Sequence, residues 1–380
     1  MWRAKVMSIR HPGAGTTVLV SRGAFLDNVR YFQQLVTANT KVWPVIKADG
    51  YGHGAVQLAA WLQEAGLADT LCVTRVCEVQ ALRAAGITLA LLLLQPVCDA
   101  DEAVCALQAN AAVTAGAFEH LEILAQASAQ SELPARVHIK IDSGMHRIGF
   151  APDELPFVAD YFKTHNMQWE GLYTHFASAD ETTAQAEALT KRQLAAFEGA
   201  VAAVRRMGYA PVVHAANTAA TLRYPASRFD AVRVGLGLYG YAPAACGIKP
   251  VLSWRAPVAQ ARQLCAGDGV SYGWTFIAPH DMTVATVAAG YADGFARSLS
   301  RGVGQVLLRG CRVPVLGNVC MDQMIVEVPP GCDAAVGDEA WLLGGGQGGV
   351  TADEMALWCK TLSYEVLVGL GPRVSREYVP

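Results

Sequence analysis

The sequence predicts an α/β protein that combines an N-terminal (β/α)8 barrel with a C-terminal mainly β domain. The first observation is an alternation, from residue 41 to 235, of short β-branched or leucine-rich runs with longer alanine-rich amphipathic stretches. Eight such runs occur, the number found in a closed barrel. After Gly240 the sequence pattern changes to short strand-like runs separated by Gly, Pro and Asp. An open doubly wound sheet is the main alternative for the first part.

Each barrel strand is predicted from an apolar run. The strands are expected at residues 42–46, 71–74, 89–94, 111–114, 136–141, 171–175, 211–214 and 231–234. Amphipathic helices are expected at 55–65, 76–85, 101–108, 117–127, 153–164 and 184–207, with a helical turn near 219–222. We therefore assign residues 1–240 to the barrel domain, while allowing that residues before about 20 pack with the second domain.

Residues 241–380 are predicted to form the β domain. Strand-like runs cover residues 252–263, 283–288, 304–308, 313–316 and 324–328, and Trp341-Leu-Leu leads into a glycine-rich loop at 344–349. No Gly-Lys-Ser/Thr follows that loop, so a phosphate loop is not expected. Thr351-Ala-Asp-Glu354 has the spacing of a capping box and predicts a helix through about Lys360.

Composition excludes several classes of protein. A chain of 380 residues with 52% hydrophobic and 17% charged residues is a folded globular protein large enough for two domains. A net charge of -3 and a pI near 6.3 give no basic surface for nucleic acid or membrane. The ten cysteines have no metal-type or disulfide-type spacing, and no signal peptide or membrane span is evident. We expect a reduced, cytoplasmic protein without a metal.

Polar residues stand at or after several predicted barrel-strand ends, where barrel active sites lie. Lys47 is the first of them. A lysine there is ordinarily a solvated charge, but one held against apolar residues loses water, its pKa falls, and its amine can form a Schiff base or accept a proton. In chain order the set is Lys47, Lys140, Asp142, Arg147, His175, Asn217, Thr218, Arg233 and Gly235.

Longer motifs surround these residues. They include Val45-Ile-Lys-Ala-Asp-Gly-Tyr-Gly-His-Gly54, Lys140-Ile-Asp-Ser-Gly-Met-His-Arg147, His214-Ala-Ala-Asn217-Thr218, Arg233-Val-Gly-Leu-Gly-Leu-Tyr239, Ser271-Tyr272-Gly and Cys320-Met321-Asp322. In their sequence and order the chain resembles the alanine racemase family. The resemblance implies a barrel plus β domain, a homodimer, pyridoxal 5'-phosphate (PLP) as cofactor, and interconversion of L- and D-alanine for cell-wall precursor supply or for catabolism.

The resemblance also implies two proton-transfer residues. Lys47 would carry the Schiff base to PLP and exchange the Cα proton on the D face, and Tyr272 of the partner subunit would serve the L face. His175 and Arg147 would assist the Tyr272 phenol. Arg233 would face the pyridine nitrogen; because a guanidinium only donates hydrogen bonds, the ring nitrogen would stay unprotonated and side reactions would be limited.

The remaining site residues are implied in the same way. The phosphate of the cofactor would be held by Tyr51, Thr218, the backbone at Gly235 and Leu236, and Tyr378. His175 and Asn217 would also contact the cofactor. The family usually has serine in place of Thr218, so the hydroxyl is kept and a methyl is added. Arg147, with the backbone at Met321, would bind the substrate carboxylate. Lys140 would be carbamylated, since two unmodified cations so close would repel each other.

A narrow entrance at Tyr291, Met321 and Tyr378 favours alanine, with serine or a broader set of amino acids as the alternative. Three other functions remain open. Arg233 speaks against a decarboxylase on the same scaffold, and Tyr272 and Met321 speak against a non-catalytic PLP carrier. A structural protein with an empty barrel would show no PLP absorbance.

Overall fold

The computed structural model describes residues 15–242 and 246–380, which divide into two compact units. One unit runs from Gly23 to Lys249, and the other contains residues 15–22 together with 250–380. Strand β1 (Thr17–Ser21) thus belongs with the C-terminal half of the chain. The expectation for residues before about 20 falls partly on 1–14, which lie outside the described residues.

The first unit is a closed barrel of eight parallel strands. They are β2 (Lys41–Pro44), β3 (Thr70–Val73), β4 (Ala90–Leu93), β5 (Ala111–Ala115), β6 (Ala135–Lys140), β7 (Met167–Tyr173), β8 (Val212–His214) and β9 (Ala231–Val234). The order around the barrel is β2-β9-β8-β7-β6-β5-β4-β3. Val45 bridges Cys72, and the Ile46 nitrogen donates to the Cys72 carbonyl at 2.9 Å, which closes the ring. The predicted barrel is confirmed, and the open sheet is excluded.

One helix precedes the barrel strands, and helices follow most of them. They are α1 (Arg22–Leu35), α2 (Lys47–Tyr51), α3 (Ala55–Ala65), α4 (Val76–Ala84), α5 (Ala100–Gln108), α6 (Phe118–Ser131), α7 (Leu155–Thr164), α8 (Ala184–Arg206) and α9 (Thr218–Arg223). Side chains cap several of them, since Asp99 accepts from the Glu102 nitrogen at 2.8 Å and Thr183 from the Ala186 nitrogen at 3.2 Å. Helix α1 was not predicted, and α6 runs four residues further than expected.

The second unit is built on a ring of antiparallel strands. Its further strands are β10 (Leu252–Leu264), β11 (Gly269–Val270), β12 (Phe276–Ile277), β13 (Met282–Val287), β14 (Gln305–Leu308), β15 (Cys311–Leu316), β16 (Met324–Val328), β17 (Glu339–Leu343) and β18 (Ser375–Val379). The order is β13-β16-β15-β14-β17-β10, and β13 also pairs with β10, which closes six strands into a barrel. Strand β1 pairs with the first part of β10 and carries β18 on its other side.

Two short helices complete this unit, α10 (Ala352–Cys359) and α11 (Ser363–Val368). The predicted capping box is confirmed: the Thr351 hydroxyl accepts from the Glu354 nitrogen at 3.1 Å, and the Glu354 carboxylate accepts from the Thr351 nitrogen at 2.9 Å. No helix of the described chain is long and apolar enough to cross a bilayer. All ten cysteines are free thiols.

Candidate active site

The chain makes a left-handed turn directly after Lys47. Ala48, Asp49, Gly50 and Tyr51 have φ angles of +53°, +52°, +62° and +53°. A left-handed conformation costs a non-glycine residue about 1–2 kcal/mol, so the surroundings must hold this turn in place. Part of that support is local, because the Gly50 nitrogen donates to the Ile46 carbonyl at 2.9 Å and the Asp49 carboxylate accepts from the Ala55 nitrogen at 2.9 Å.

The remaining support comes from Glu78, a residue that the sequence did not single out. Its Oε1 accepts from the Ala48 nitrogen at 2.6 Å, while Oε2 accepts from the Thr74 and Arg75 nitrogens at 2.8 and 3.1 Å. One carboxylate therefore joins the turn after strand β2 to the start of helix α4. Its position three residues after Arg75 indicates a cap, but nothing in the sequence indicates the bond to Ala48.

Lys47 is partly buried at this turn. Loss of water lowers its pKa from the ordinary lysine value, the charge of Arg147 lowers the pKa further, and the nearby Glu78 carboxylate opposes the shift. The direction expected for a desolvated lysine is thus confirmed. A larger share of Lys47 is in the free-amine form at neutral pH than for a solvated lysine.

Lys47 is one of four cations around His175. Burial and the charges of Arg233, Lys140, Arg147 and Lys47, in that order, hold the pKa of His175 well below its usual range. Burial also lowers the pKa of Lys140 to about 8, and the charge of Arg147 adds to the effect. His175 is therefore neutral, and the surrounding cations favour an anionic ligand.

Arg147 is presented by a loop that Asp142 organises. The Asp142 Oδ1 accepts from the backbone nitrogens of Gly144, Met145 and His146 at 2.9, 3.0 and 3.0 Å. These bonds lower the pKa of the carboxyl although its partial burial acts to raise it. Asp142 thus shapes the loop, and Arg147 is left exposed at its end.

Arg233 is 3% exposed on strand β9 and is fixed by several acceptors. Its Nη2 donates to the carbonyls of Thr174 and Ala215 at 2.8 and 3.0 Å, and its Nη1 to His214 at 2.7 Å. The guanidinium carbon lies 4.9 Å from the centre of the Tyr173 ring. Lys140 lies over the same ring, with its Nζ at 5.8 Å from the centre.

A cluster of hydroxyl and amide groups lies at the carboxyl ends of strands β8 and β9. The Thr218 hydroxyl accepts from the Gly235 and Gly237 nitrogens, each at 3.2 Å. A Cβ added at Gly235 would lie 2.5 Å from the Tyr51 hydroxyl, so that hydroxyl is packed against the same backbone. Leu236 opens a 3-10 turn there (Leu236–Tyr239). We call Tyr51, Thr218, Gly235, Leu236 and Gly237 the hydroxyl-amide cradle.

Two residues next to the cradle have structural contacts. Asn217 is the N-cap of α9, and its side-chain oxygen accepts from the Ala220 nitrogen at 2.9 Å. Tyr239 is fully buried, and its hydroxyl donates to the Val45 carbonyl at 2.9 Å. The ring of Tyr239 lies 4.7 Å from that of Tyr51. Tyr239 therefore connects Val45, two residues before Lys47, to Tyr51 of the cradle.

The other expected residues lie on the second unit. Tyr272 opens a 3-10 turn (Tyr272–Trp274) between β11 and β12, where Ser271 and Trp274 have φ angles of +63° and +46°. The Asn318 side chain donates to the Tyr272 carbonyl at 2.8 Å. The Tyr272 side chain is 75% exposed. The turn thus has a defined conformation while its tyrosine projects outward.

Met321 and Tyr291 are brought together on that unit. The Tyr291 nitrogen donates to the Cys320 carbonyl at 3.1 Å, and the Ala292 nitrogen to the Met321 carbonyl at 3.0 Å. A Cβ at Gly290 would lie 2.4 Å from the Met321 carbonyl oxygen, so the two loops require glycine there. Tyr378 lies on strand β18 and pairs with Val20 of β1. Among the described residues, no cluster of three or more His, Cys, Asp or Glu could hold a metal ion.

Comparisons with known proteins agree over both units. The family model for the alanine racemase N-terminal domain matches residues 20–243, and the model for the alanine racemase C-terminal domain matches residues 251–378. A curated alanine racemase from Desulfovibrio desulfuricans is 40% identical over 367 residues, which is 95% of this chain and 97% of that protein.

Solved structures give the same result. An alanine racemase from Clostridium difficile is 33% identical and superposes with a TM-score of 0.90 over 96% of this chain and 95% of its own. A Bacillus anthracis alanine racemase with bound L-Ala-P is also 33% identical, with a TM-score of 0.90 over 98% of this chain and 96% of its own. The chain belongs to the alanine racemase family.

Proposed function

We propose that this protein interconverts L- and D-alanine with PLP as its cofactor and acts as a homodimer in the cytoplasm. The observation that carries the proposal is the group of four cations around a neutral His175, in the same barrel as the hydroxyl-amide cradle. Such a site suits a phosphorylated cofactor together with a substrate that carries a carboxylate.

The cradle fits the phosphate of PLP. Two backbone amides meet at one threonine hydroxyl, and the Tyr51 hydroxyl lies against Gly235. The Thr218 hydroxyl accepts from both amides, so its own hydrogen remains to donate to an anion, and no lysine-rich loop is required. We propose that Tyr51, Thr218 and the backbone at Gly235 and Leu236 hold the phosphate. The expected contributions of Tyr378, Asn217 and Met321 stay predictions.

Bound PLP withdraws electrons from the Cα of an amino acid joined to it and so makes the Cα proton acidic. Lys47 is suited to exchange this proton, because its lowered pKa makes the free amine accessible. We propose Lys47 for one face of Cα and Tyr272 of the partner subunit for the other. Two different side chains on opposite faces avoid any need to turn the substrate over.

Arg233 explains why proton exchange would be favoured over other chemistry. A guanidinium donates hydrogen bonds and does not accept them, so it cannot keep a pyridine nitrogen protonated as a carboxylate does. A weaker electron sink supports removal of the Cα proton but disfavours decarboxylation and transamination. The decarboxylase alternative loses support for this reason.

Arg147 is proposed to bind the substrate carboxylate, and Lys140 to be carbamylated. With a pKa of about 8, part of Lys140 is free amine at neutral pH. This amine can add to CO2, forming an N–C bond and releasing one proton. The product is an anion, and it converts the repulsion between Lys140 and Arg147 into attraction.

The homodimer is supported by an exposed apolar hairpin. The side chains of Tyr272, Trp274 and Ile277 are 75%, 70% and 49% exposed. Exposed aromatic groups clustered on one hairpin are typical of a surface that a partner covers. A Tyr272 donated to the other subunit would make a lone subunit inactive.

The experiment is a racemisation assay of the purified protein, loaded with PLP, against L-alanine, D-alanine, L-serine and larger amino acids. We expect alanine to be racemised fastest, and Lys47→Ala to abolish turnover. If alanine is not racemised although PLP is bound, the proposal fails. Equal rates of racemisation for alanine and serine would show that the protein is a broad-specificity amino-acid racemase and not an alanine racemase.

A further inference from the structure

A line of polar side chains runs through the barrel interior from Arg233. Its Nη1 lies 2.7 Å from His214 Nδ1, His214 Nε2 lies 2.8 Å from His138 Nδ1, and His138 Nε2 lies 3.5 Å from Glu170 Oε1. Arg136 binds the same carboxylate through Nε at 2.5 Å and Nη2 at 2.8 Å. Arg233, His214 and His138 are all at most 3% exposed, so the line is closed to bulk water up to Glu170.

The chemistry of these groups fixes every proton along the line. A guanidinium only donates, so His214 Nδ1 must accept. A neutral imidazole carries one N–H, which places the His214 proton on Nε2, from where it is donated to His138 Nδ1. The His138 proton then lies on Nε2 and points to Glu170. All donors run in one direction, from the cation at one end to the anion at the other.

We propose that His214, His138 and Glu170 form a one-directional hydrogen-bond relay that positions Arg233 and links its charge to a counter-anion. The three are positioning residues, since they act through Arg233. That Arg233 faces the pyridine nitrogen of PLP rests on the proposed function. The direction of the hydrogen bonds in the relay does not depend on that function.

Burial, together with the nearby cations, keeps both histidines neutral. Burial lowers the pKa of His214 well below its usual range, and Arg233 and His138 lower it further. For His138 burial is again the largest cause, with Glu170 raising the pKa and Arg136 and Arg233 lowering it. Burial acts to raise the pKa of Glu170, but the bonds from His138 and Arg136 lower it to about 2. The carboxylate therefore stays ionised.

The barrel interior is shaped to hold these rings. The Tyr173 ring stacks on His214 at 4.7 Å with 7° between the planes, and the Trp43 ring meets His214 edge-on at 4.8 Å. A Cβ at Gly171 would lie 2.0 Å from His138 Nδ1, so that strand position must be glycine. The pairing of β6 with β7 also shifts register just before His138.

Because the relay removes no proton from Arg233, the guanidinium keeps its positive charge. No carboxylate in the described parts of the chain lies within 4.0 Å of Arg233. Its Nη2 donates to two backbone carbonyls and also lies 3.3 Å from His175 Nδ1. Glu170 is the anion that the relay connects to it, two imidazoles away. Arg233 is thus held rigidly without a neighbouring carboxylate that could replace it as the partner of a pyridine nitrogen.

The direct test is the protonation of the two histidines in the PLP-loaded enzyme. Long-range 1H–15N spectra of histidine-labelled protein, assigned with His138→Gln and His214→Gln, report which nitrogen carries the proton. We expect Nε2–H on both, with neither ring protonated on both nitrogens at neutral pH. A proton on Nδ1 of His214, or an imidazolium at either position at neutral pH, would overturn the relay.

The functional test is Glu170→Gln, which keeps an acceptor of the same shape and removes the charge. We expect kcat to fall about 5- to 100-fold with little change in KM, together with a shifted pH dependence of the absorbance of bound PLP. Glu187→Gln on the surface of α8 is the matched control and should match the wild type. An unchanged kcat and an unchanged absorbance profile in Glu170→Gln would contradict the relay. Absence of racemisation in the wild type would instead reject the proposed function, and the histidine spectra would still decide the relay.

Discussion

The Glu78 carboxylate accepts a hydrogen bond from the Ala48 backbone nitrogen at 2.6 Å, although the two residues are 30 positions apart in the sequence. Ala48 directly follows Lys47 and has a left-handed conformation. The same carboxylate binds the backbone at Thr74 and Arg75. The orientation of Lys47 therefore depends on an acidic side chain from the next strand-helix unit.

Glu78→Gln tests the hydrogen bonds that the Glu78 carboxylate accepts. Glutamine has one acceptor oxygen in place of two, so either Ala48 or the Thr74-Arg75 backbone loses its partner. We expect the free energy of unfolding to fall by about 1–3 kcal/mol, with a loss of kcat larger than the change in KM. Urea denaturation and steady-state kinetics measure the two effects, with Glu102→Gln on α5 as a control. Wild-type stability and kcat in Glu78→Gln would show that these Glu78 hydrogen bonds have no role.

The proposed role of Thr218 in phosphate binding can be tested by a substitution that removes only its hydroxyl. Thr218→Val keeps the shape but removes the hydroxyl hydrogen that would bind the phosphate, so we expect PLP to bind about 10- to 100-fold more weakly. Thr218→Ser keeps the hydroxyl and should bind PLP within a few-fold of the wild type. Equilibrium dialysis against PLP measures both affinities. Equal PLP affinity in the valine variant would remove Thr218 from the proposed phosphate site.

Unmodified Lys140 should make stability depend on pH. Its pKa falls from 10.5 to about 8 in the folded protein, so between these values the unfolded chain binds more protons than the folded one. The free energy of unfolding should therefore rise with pH across this window, by up to roughly 3 kcal/mol. Denaturation in CO2-free buffer should show this rise in the wild type and not in Lys140→Met. The same slope in both proteins would contradict the assignment.

Carbamylation of Lys140 has its own signature. Protein equilibrated with 13C-bicarbonate should show a 13C carbamate resonance that Lys140→Met lacks. Since only the free amine reacts, the resonance should weaken as the pH falls well below 8. A plain ammonium in the presence of bicarbonate would count against the modification.

Arg233→Glu should redirect the chemistry. A carboxylate in place of the guanidinium can keep the pyridine nitrogen protonated, which strengthens the electron sink. We expect slower racemisation and a larger fraction of turnovers that end in transamination, measured as pyruvate formed per racemisation event. The buried carbonyls of Thr174 and Ala215 also lose their donor, so stability should fall. Unchanged partitioning would contradict the role given to Arg233.

The sequence predicted the barrel well, because its buried strands are short continuous apolar runs. Strand β9 and helix α3 were placed with their observed bounds, and most other ends lie within a few residues. Helix α1 was missed, and the pairing of β1 with both β10 and β18 has no local signal. Pairing between strands that are distant in the sequence depends on the tertiary structure and not on the local sequence of either strand.

The site was predicted in the same uneven way. Residues next to strand ends, such as Lys47 and Arg233, were found because the active site of a barrel lies at the carboxyl ends of its strands. Glu78 and His138 were not, since each looks like an ordinary helix-cap or strand residue. Only the folded structure places Glu78 at Ala48 and His138 at His214.

The most direct test of the two-base proposal is Cα hydrogen exchange from each alanine enantiomer in D2O. In Tyr272→Phe, D-alanine should still exchange its Cα proton through Lys47 and remain D-alanine, whereas exchange from L-alanine should fall about 100- to 10,000-fold. The wild type should exchange and racemise both. Wild-type racemisation by Tyr272→Phe, or equal loss of exchange from both enantiomers, would contradict the assignment of one face to each residue.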